Sequence, residues 1–189
     1  LIPNREHDVD VIDPVAVERH FNRITAPLFA EIGDLVGKTW THVYSVSWEG
    51  AIPTWTATFE DQFKALAGYE LRPYLPELAG FVPADGRRVL QDYRRIRNLM
   101  FKDDFYGTVR RLAHARGLKL YSESGGPWNR DPSVFREADQ LAFLGVNDMP
   151  QGEFWPVRPA HHSDFDHNRP AANAAHIYGL KRASTEAFT

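Results

Sequence analysis

Short runs of β-branched and aromatic residues alternate with amphipathic helical segments along most of this chain of 189 residues. A helix is predicted from Pro14, with Gly37 closing it, and a β-rich run over residues 39–46 follows. Parallel strands need a crossover connection, usually a helix, so this alternation predicts a parallel sheet. The expected fold is α/β, as either a doubly wound open sheet or a (β/α) barrel.

Further β-rich runs predict strands at residues 7–13, 118–122, 143–146 and 182–185. A long helical stretch is predicted from Asp85 to residue 116, with an interruption near Gly107. The Gly-rich turns that mark nucleotide-binding sheets do not occur in the sequence. A complete (β/α)8 barrel usually needs about 250 residues and eight strands. Residues 1–189 are therefore expected to form part of one TIM-type barrel domain, truncated at both ends.

The composition excludes several classes of protein. With 43% hydrophobic residues the chain can bury a core, and its net charge of −3 gives no excess of basic residues for binding nucleic acid. No apolar run reaches the roughly 20 residues that cross a bilayer, so no membrane-spanning segment is expected. The absence of cysteine excludes disulfides, thiolate metal sites and cysteine nucleophiles.

Acidic residues follow or end several of the predicted strands. Glu49, Glu153 and Glu186 have this placement, and the first two have an indole beside them in Trp48 and Trp155. Carboxylates can perform acid/base chemistry while aromatic faces cover the apolar faces of a sugar ring. Acidic residues also occur at strand ends simply because those ends are exposed to solvent, and a tryptophan there can cover the hydrophobic core. The grouping favours cleavage of a carbohydrate substrate.

Several longer motifs resemble the catalytic barrel of glycoside hydrolase family 106, the α-L-rhamnosidases. They include Thr41 to Gly50 (THVYSVSWEG), Gly117 to Tyr121 (GLKLY), Met149 to Trp155 (MPQGEFW) and Ala174 to Gly179 (AAHIYG) leading into Glu186 to Thr189 (EAFT). The resemblance covers nearly the whole chain. It implies a (β/α)8 catalytic domain within a longer multidomain enzyme that hydrolyses α-L-rhamnosides with inversion and with calcium at the active site.

Carried over residue by residue, the resemblance makes Glu49 and Glu186 the catalytic acid and base, without settling which is which. Glu153 is expected near the substrate or the metal, whose ligands remain unassigned. The remaining candidates for substrate binding at the mouth of the barrel are Trp48, Glu123, Trp128, Asp148 and Trp155. The partners implied are a carbohydrate, the missing barrel strands and accessory domains, and an extracytoplasmic location is expected for the intact protein.

Two alternatives remain open. A retaining glycosidase of similar fold would use two carboxyl groups about 5 Å apart, whereas an inverting enzyme separates them by roughly 6.5 to 9.5 Å. A carbohydrate-binding homologue would keep the aromatic mouth without catalysis.

Overall fold

The centre of the fold is a parallel sheet that curls into a half-barrel. The computed structural model describes residues 9–46, 54–81, 87–123, 140–154 and 164–187. Within them the sheet has four strands in sequential order: β1 (His42–Ser45), β2 (Lys119–Ser122), β3 (Met149–Phe154) and β4 (Ser184–Ala187). A doubly wound sheet reverses its strand order at a switch point. The sequential order instead matches part of a barrel, and the predicted α/β class is confirmed.

Helices separate the strands, and several of them pack against the sheet. They are α1 (Pro14–Ile32), α2 (Phe59–Ala67), α3 (Leu75–Leu78), α4 (Arg87–Met100), α5 (Thr108–His114), α6 (Gln140–Gly145) and α7 (Asp164–Ile177). A π-helix, Phe101–Gly107, joins α4 to α5 without a break in the chain's helical path. Within the described ranges, no helix combines the length and the apolar character needed to cross a membrane.

Local chemistry explains where these helices start and stop. The Asp13 carboxylate accepts a hydrogen bond from the Val15 amide at 2.9 Å, and Pro14 occupies the first turn, where it costs no hydrogen bond. Gly117 and Gly179 adopt positive φ angles of 76° and 67° after α5 and α7. That conformation suits glycine and lets the chain turn directly into β2 and toward β4.

Three predicted elements differ from the structure. Residues 9–13 form a turn and the cap of α1 rather than a strand. The apolar run at 143–146 ends helix α6, and the strand lies later, at β3. Helix α7 begins at Asp164 and contains Pro170, where the sequence suggested a start near residue 168. A short apolar run is compatible with either a buried strand or a buried helix, so periodicity alone could not separate them.

The hydrophobic core lies between the sheet and its helices. Leu120 of β2 is fully buried there, and Phe101, Tyr106 and Phe143 pack their rings against one another beside it. The opposite face of the sheet is lined with polar side chains, including Tyr44, Gln151 and others discussed below. The sequence therefore buries one face of the sheet and leaves a polar face on its concave side.

Asp148, just before β3, contacts both the amino end of β2 and side chains of α5. Its carboxylate accepts hydrogen bonds from the Leu120 amide at 2.8 Å and from Arg110 at 3.2 Å, and it contacts His114 at 2.8 Å. Burial alone would raise the pKa of Asp148, but the contacts with His114, Leu120 and Arg110 outweigh it and hold the pKa below its ordinary value of 3.8. A carboxylate with a lowered pKa stabilises the fold above pH 4, and this contribution is lost as the pH falls through the lower value.

Replacing Asp148 with Asn should therefore loosen this end of the sheet. Hydrogen bonds to a charged group contribute about 2 kcal/mol, which corresponds to roughly 30-fold faster exchange of the amides they protect. Hydrogen exchange of residues 119–122 and 149–151, measured by mass spectrometry in the intact protein at pH 7, tests this. The difference between Asp148→Asn and wild type should shrink as the pH falls through the lowered pKa of Asp148, where the wild-type carboxylate takes up a proton.

Asp61→Asn is the matched control, since it removes an exposed carboxylate from the first turn of α2. It should leave exchange in β2 and β3 unchanged. Equal exchange rates in Asp148→Asn and wild type would show that the contacts around Asp148 do not hold the strands.

Candidate active site

Three glutamates meet where neighbouring strands end. Glu123 directly follows β2, and Glu153 and Glu186 are the next-to-last residues of β3 and β4. Glu153 and Glu186 are also partners in the parallel register of the two strands. Side chains at paired positions of a parallel sheet project from the same face. The fold thus brings together three of the sequence-predicted site residues on the concave, polar face.

The carboxylate oxygens of these glutamates are very close. One oxygen from each of Glu123, Glu153 and Glu186 lies within 4.8 Å of the other two. Glu123 is completely buried, whereas Glu153 and Glu186 are partly exposed. Three ionised carboxylates at this spacing would repel one another strongly, so a proton or a cation must offset their charge. We call these three residues the glutamate cluster.

Tyr44 of β1 reaches across to the glutamate cluster. Its hydroxyl lies 3.0 Å from Glu123 Oε1 and 3.4 Å from Glu186 Oε2, and it can donate to either oxygen. Burial, followed by the negative charges of Glu123 and Glu186, raises the pKa of the Tyr44 phenol. Tyr44 therefore keeps its proton at neutral pH and remains a hydrogen-bond donor.

Gln151 connects the same groups from β3. Its Nε2 donates to the Tyr44 hydroxyl at 3.0 Å and to Glu123 Oε1 at 2.9 Å. Its Oε1 accepts a hydrogen bond from Ser184 Oγ of β4 at 3.2 Å. Every strand of the sheet, or the residue directly after it, therefore contributes a group to one hydrogen-bond network around the glutamates.

Glu123 is the group whose ionisation is most altered. Burial first, then a hydrogen bond shared with Glu186, raises the pKa of Glu123 to about 8. Its second oxygen, Oε2, is buried and has no donor among the described residues. With a pKa of about 8, Glu123 is mostly protonated at neutral pH.

The donor chemistry of the cluster also fits a hard cation. Calcium takes oxygen ligands, and carboxylates are prominent among them. The glutamate cluster offers three carboxylate oxygens. In addition, Glu123 has a buried oxygen, Oε2, without a hydrogen-bond partner among the described residues. A proton on Glu123 and a cation among the three glutamates are alternative ways to offset the same charge.

The other predicted site residues are placed differently. Asp148 lies before β3, roughly 16 Å along the strand from Glu153, at the opposite end of the sheet from the glutamate cluster. It is held there by the α5 side chains described above, and the structure does not bring it to the cluster. Four candidates, Glu49, Trp48, Trp128 and Trp155, lie outside the described residues.

Two residues of the site were not identified from the sequence. Tyr44 was assigned to a strand but not to the site, although strand periodicity puts it on the same face as Val46. Gln151 was missed because the strand that carries it was predicted several residues too early. Alternation along the correct strand, from Gln151 to Glu153, would have indicated both on one face.

The chain is similar to known proteins in both sequence and fold. The sequence profile of a family described as alpha-L-rhamnosidase, glycoside hydrolase family 106, matches residues 4–189. A Formosa agariphila protein named "Putative beta-glucuronidase" is 31% identical over 186 residues, which cover 96% of this chain and 15% of that protein.

A solved structure is similar as well. The structure of a rhamnosidase from Novosphingobium sp. PP1Y superposes with a TM-score of 0.79 and 28% sequence identity, over 95% of this chain and 17% of that one. The chain thus spans about a sixth of the length of the proteins it matches.

The profile match over almost the whole chain confirms the resemblance seen in the sequence motifs. The chain belongs to glycoside hydrolase family 106, the α-L-rhamnosidase family.

Proposed function

We propose that the chain is part of the catalytic domain of a longer α-L-rhamnosidase, which cleaves terminal α-L-rhamnosyl residues by inversion. The observation that carries the proposal is the glutamate cluster, with three carboxylates within 4.8 Å at the carboxyl ends of adjacent parallel strands. Active sites of (β/α)8 barrels lie at that end of the strands. The same placement in a half-barrel with sequential strand order supports a TIM-type barrel of which residues 1–189 form one part.

Inverting hydrolysis needs two carboxyl groups with opposite tasks. An acid gives its proton to the glycosidic oxygen as the bond to the anomeric carbon breaks, and a base takes a proton from the water that adds to the opposite face. Glu49 and Glu186 are proposed as this pair. The donor Tyr44 beside Glu186 favours the ionised form of Glu186, which suits it to the role of base.

The proposed cofactor is calcium. The residues that would hold it are Glu123 and Glu153 of the glutamate cluster, which supply oxygen ligands, with Glu186 beside them as the base. Bound there, calcium would offset the negative charge of the cluster and offer a coordination site for sugar hydroxyls. Glu123 and Glu153 would orient it, and Tyr44 and Gln151 would hold Glu123 in turn.

The comparisons suggest two sugars. A glucuronide carries a carboxylate, whereas rhamnose is a neutral deoxy sugar. The family description and the superposed structure both name a rhamnosidase, which favours a rhamnoside over a glucuronide as the substrate.

One observation favours a second candidate, a retaining glycosidase. Carboxylate oxygens within 4.8 Å approach the spacing of about 5 Å found in retaining enzymes and fall short of the 6.5 to 9.5 Å of inverting ones. Glu153 and Glu186 would then be the catalytic pair. Glu123 and Glu153 are both too close to Glu186 to form an inverting pair with it. Inversion therefore requires a more distant carboxyl group, and Glu49 is proposed for that role.

The proposed substrates are rhamnosides of plant or microbial polysaccharides. Action on polymers outside the cell agrees with the extracytoplasmic location proposed for the intact protein. The remaining barrel strands and accessory domains of the full-length chain are its proposed structural partners.

The full-length enzyme with calcium should release β-rhamnose first from an aryl α-L-rhamnoside. Inversion places the new hydroxyl on the opposite face of the anomeric carbon, so proton NMR during the first minutes identifies the mechanism. Glu186→Gln should lower kcat by a factor of about 100 to 10,000, the usual contribution of a general acid or base.

Glu70→Gln is the control, because Glu70 is an exposed carboxylate paired with Lys64 at the surface. It should retain wild-type kcat. Initial release of α-rhamnose would assign the retaining mechanism. Cleavage of a β-glucuronide in place of the rhamnoside would show that the substrate is a glucuronide. Binding without turnover would show that the protein is a carbohydrate-binding homologue.

Calcium binding should depend on pH through Glu123. Because the pKa of Glu123 is raised to about 8, the residue holds a proton below that pH, and calcium must displace it. The apparent association constant should therefore rise by up to about tenfold per pH unit from pH 6 to 8 and level off above. Isothermal titration of the full-length protein with calcium at pH 6, 7, 8 and 9 measures this.

Glu123→Gln should weaken calcium binding and flatten its dependence on pH, since Gln resembles the protonated acid. Glu31→Gln removes an exposed carboxylate at the end of α1 and should change neither the calcium affinity nor its dependence on pH. Tight binding with equal affinity at pH 6 and 9 would show that calcium does not replace a proton at Glu123.

A further inference from the structure

The hydrogen-bond network around the glutamates has a defined direction. Glu123 Oε1 can only accept while the carboxylate is ionised, or while its proton is on the other oxygen, so the Gln151 group facing it must be the amide nitrogen. That orientation turns Gln151 Oε1 toward Ser184, whose hydroxyl donates to it at 3.2 Å. Ser184 on β4 therefore fixes which end of the Gln151 side chain meets the glutamates.

Both amide protons of Gln151 are used in the site. One goes to Glu123 Oε1 at 2.9 Å and the other to the Tyr44 hydroxyl at 3.0 Å. Since Tyr44 accepts from Gln151, its own proton points away from Gln151, toward the carboxylates. Gln151 is 8% exposed, so water contributes little to this arrangement.

Tyr44 has one proton and two carboxylate neighbours. Donation to Glu123 at 3.0 Å and to Glu186 at 3.4 Å cannot both be complete at the same moment. The hydroxyl therefore links the buried glutamate to the partly exposed one. Losing the hydroxyl would remove this donor from Glu186, whereas Glu123 Oε1 would still accept from Gln151.

We propose that Tyr44 and Gln151 are positioning residues that hold Glu123 and Glu186 at the spacing the reaction needs. The Gln151 carboxamide, oriented by Ser184, fixes the Tyr44 hydroxyl, and Tyr44 fixes the two carboxylates. This inference rests on the proposed function in one respect, since it takes Glu186 to be part of the catalytic machinery. The positioning itself depends only on the contacts that β1, β3 and β4 make with one another and with Glu123 after β2.

Tyr44→Phe tests the proposal in the full-length enzyme, because it removes one oxygen and keeps the ring. With an aryl α-L-rhamnoside, kcat should fall by about 10-fold to 100-fold, the usual effect of removing a group that orients a functional side chain. KM should change by less than about threefold, because a positioning residue acts on the reacting geometry rather than on uniform binding. A kcat within twofold of wild type would overturn the proposal.

Tyr121→Phe is the matched control. Tyr121 is the β2 residue in register with Tyr44, and its ring stacks on His42 at 4.3 Å. Losing its hydroxyl should leave kcat and KM unchanged. An equal loss of kcat in Tyr121→Phe would show that any tyrosine hydroxyl on this face matters and would also overturn the assignment to Tyr44.

Gln151→Met tests the second residue, since Met keeps the length of Gln and removes its polar atoms. Because Gln151 acts through Tyr44, the double variant Tyr44→Phe/Gln151→Met should be no more than about threefold slower than the slower single variant. Losses that multiply would show that the two residues act independently. If Gln151→Met does not fold, Tyr44→Phe alone decides.

Crystal structures of the full-length wild type and Tyr44→Phe separate this inference from the proposed function. The inference expects the Glu186 carboxylate to leave its wild-type position in the variant. An unmoved carboxylate overturns it, whatever sugar the enzyme cleaves. A displaced carboxylate in a protein that does not hydrolyse rhamnosides would support the positioning role and reject the substrate.

Discussion

The pairing register of β3 and β4 determines which carboxylates meet in the candidate active site. It places Glu153 directly opposite Glu186, and like charges at paired positions of a sheet destabilise it. A slip of one residue would turn one of the two side chains to the other face and relieve the repulsion. The fold keeps the register because Asn168 of α7 binds both strands, donating to the Glu153 carbonyl at 2.8 Å and accepting from Thr185 at 2.7 Å.

The burial of Glu123 also lowers the stability of the folded state. A carboxyl group whose pKa is raised in the folded state keeps a proton that the unfolded chain would release. Between its ordinary value of 4.5 and about 8, rising pH therefore favours unfolding at this position, by an amount on the order of a few kcal/mol. The buried aromatic core beneath β2 offsets the cost. Strain of this kind is concentrated at functional sites, where a ligand or cation relieves it.

The sequence predicted the main architecture because its signals were local. Pro14 identified the start of α1, and the acids after β-rich runs identified strand ends. The sequence did not separate helix from strand at residues 143–146, since a short apolar run fits either. The contacts of Tyr44 with Glu123 and Glu186 join residues far apart in the chain and depend on strand order, which local patterns do not contain. Asp148 shows the same limit, because local sequence does not indicate at which end of the sheet a polar residue beside a strand lies.

The π-helix between α4 and α5 has a geometric consequence for the whole half-barrel. Successive residues of an α-helix are about 100° apart around its axis, and a wide turn shifts that phase for every residue that follows. Helix α4 packs against α2, whereas α5 packs against α1 and β2. One continuous helical path from residue 87 to residue 114 can therefore serve two different packing surfaces. Deleting a single residue from Phe101–Gly107 would rotate Arg110 and His114 away from Asp148, although neither side chain would itself have changed.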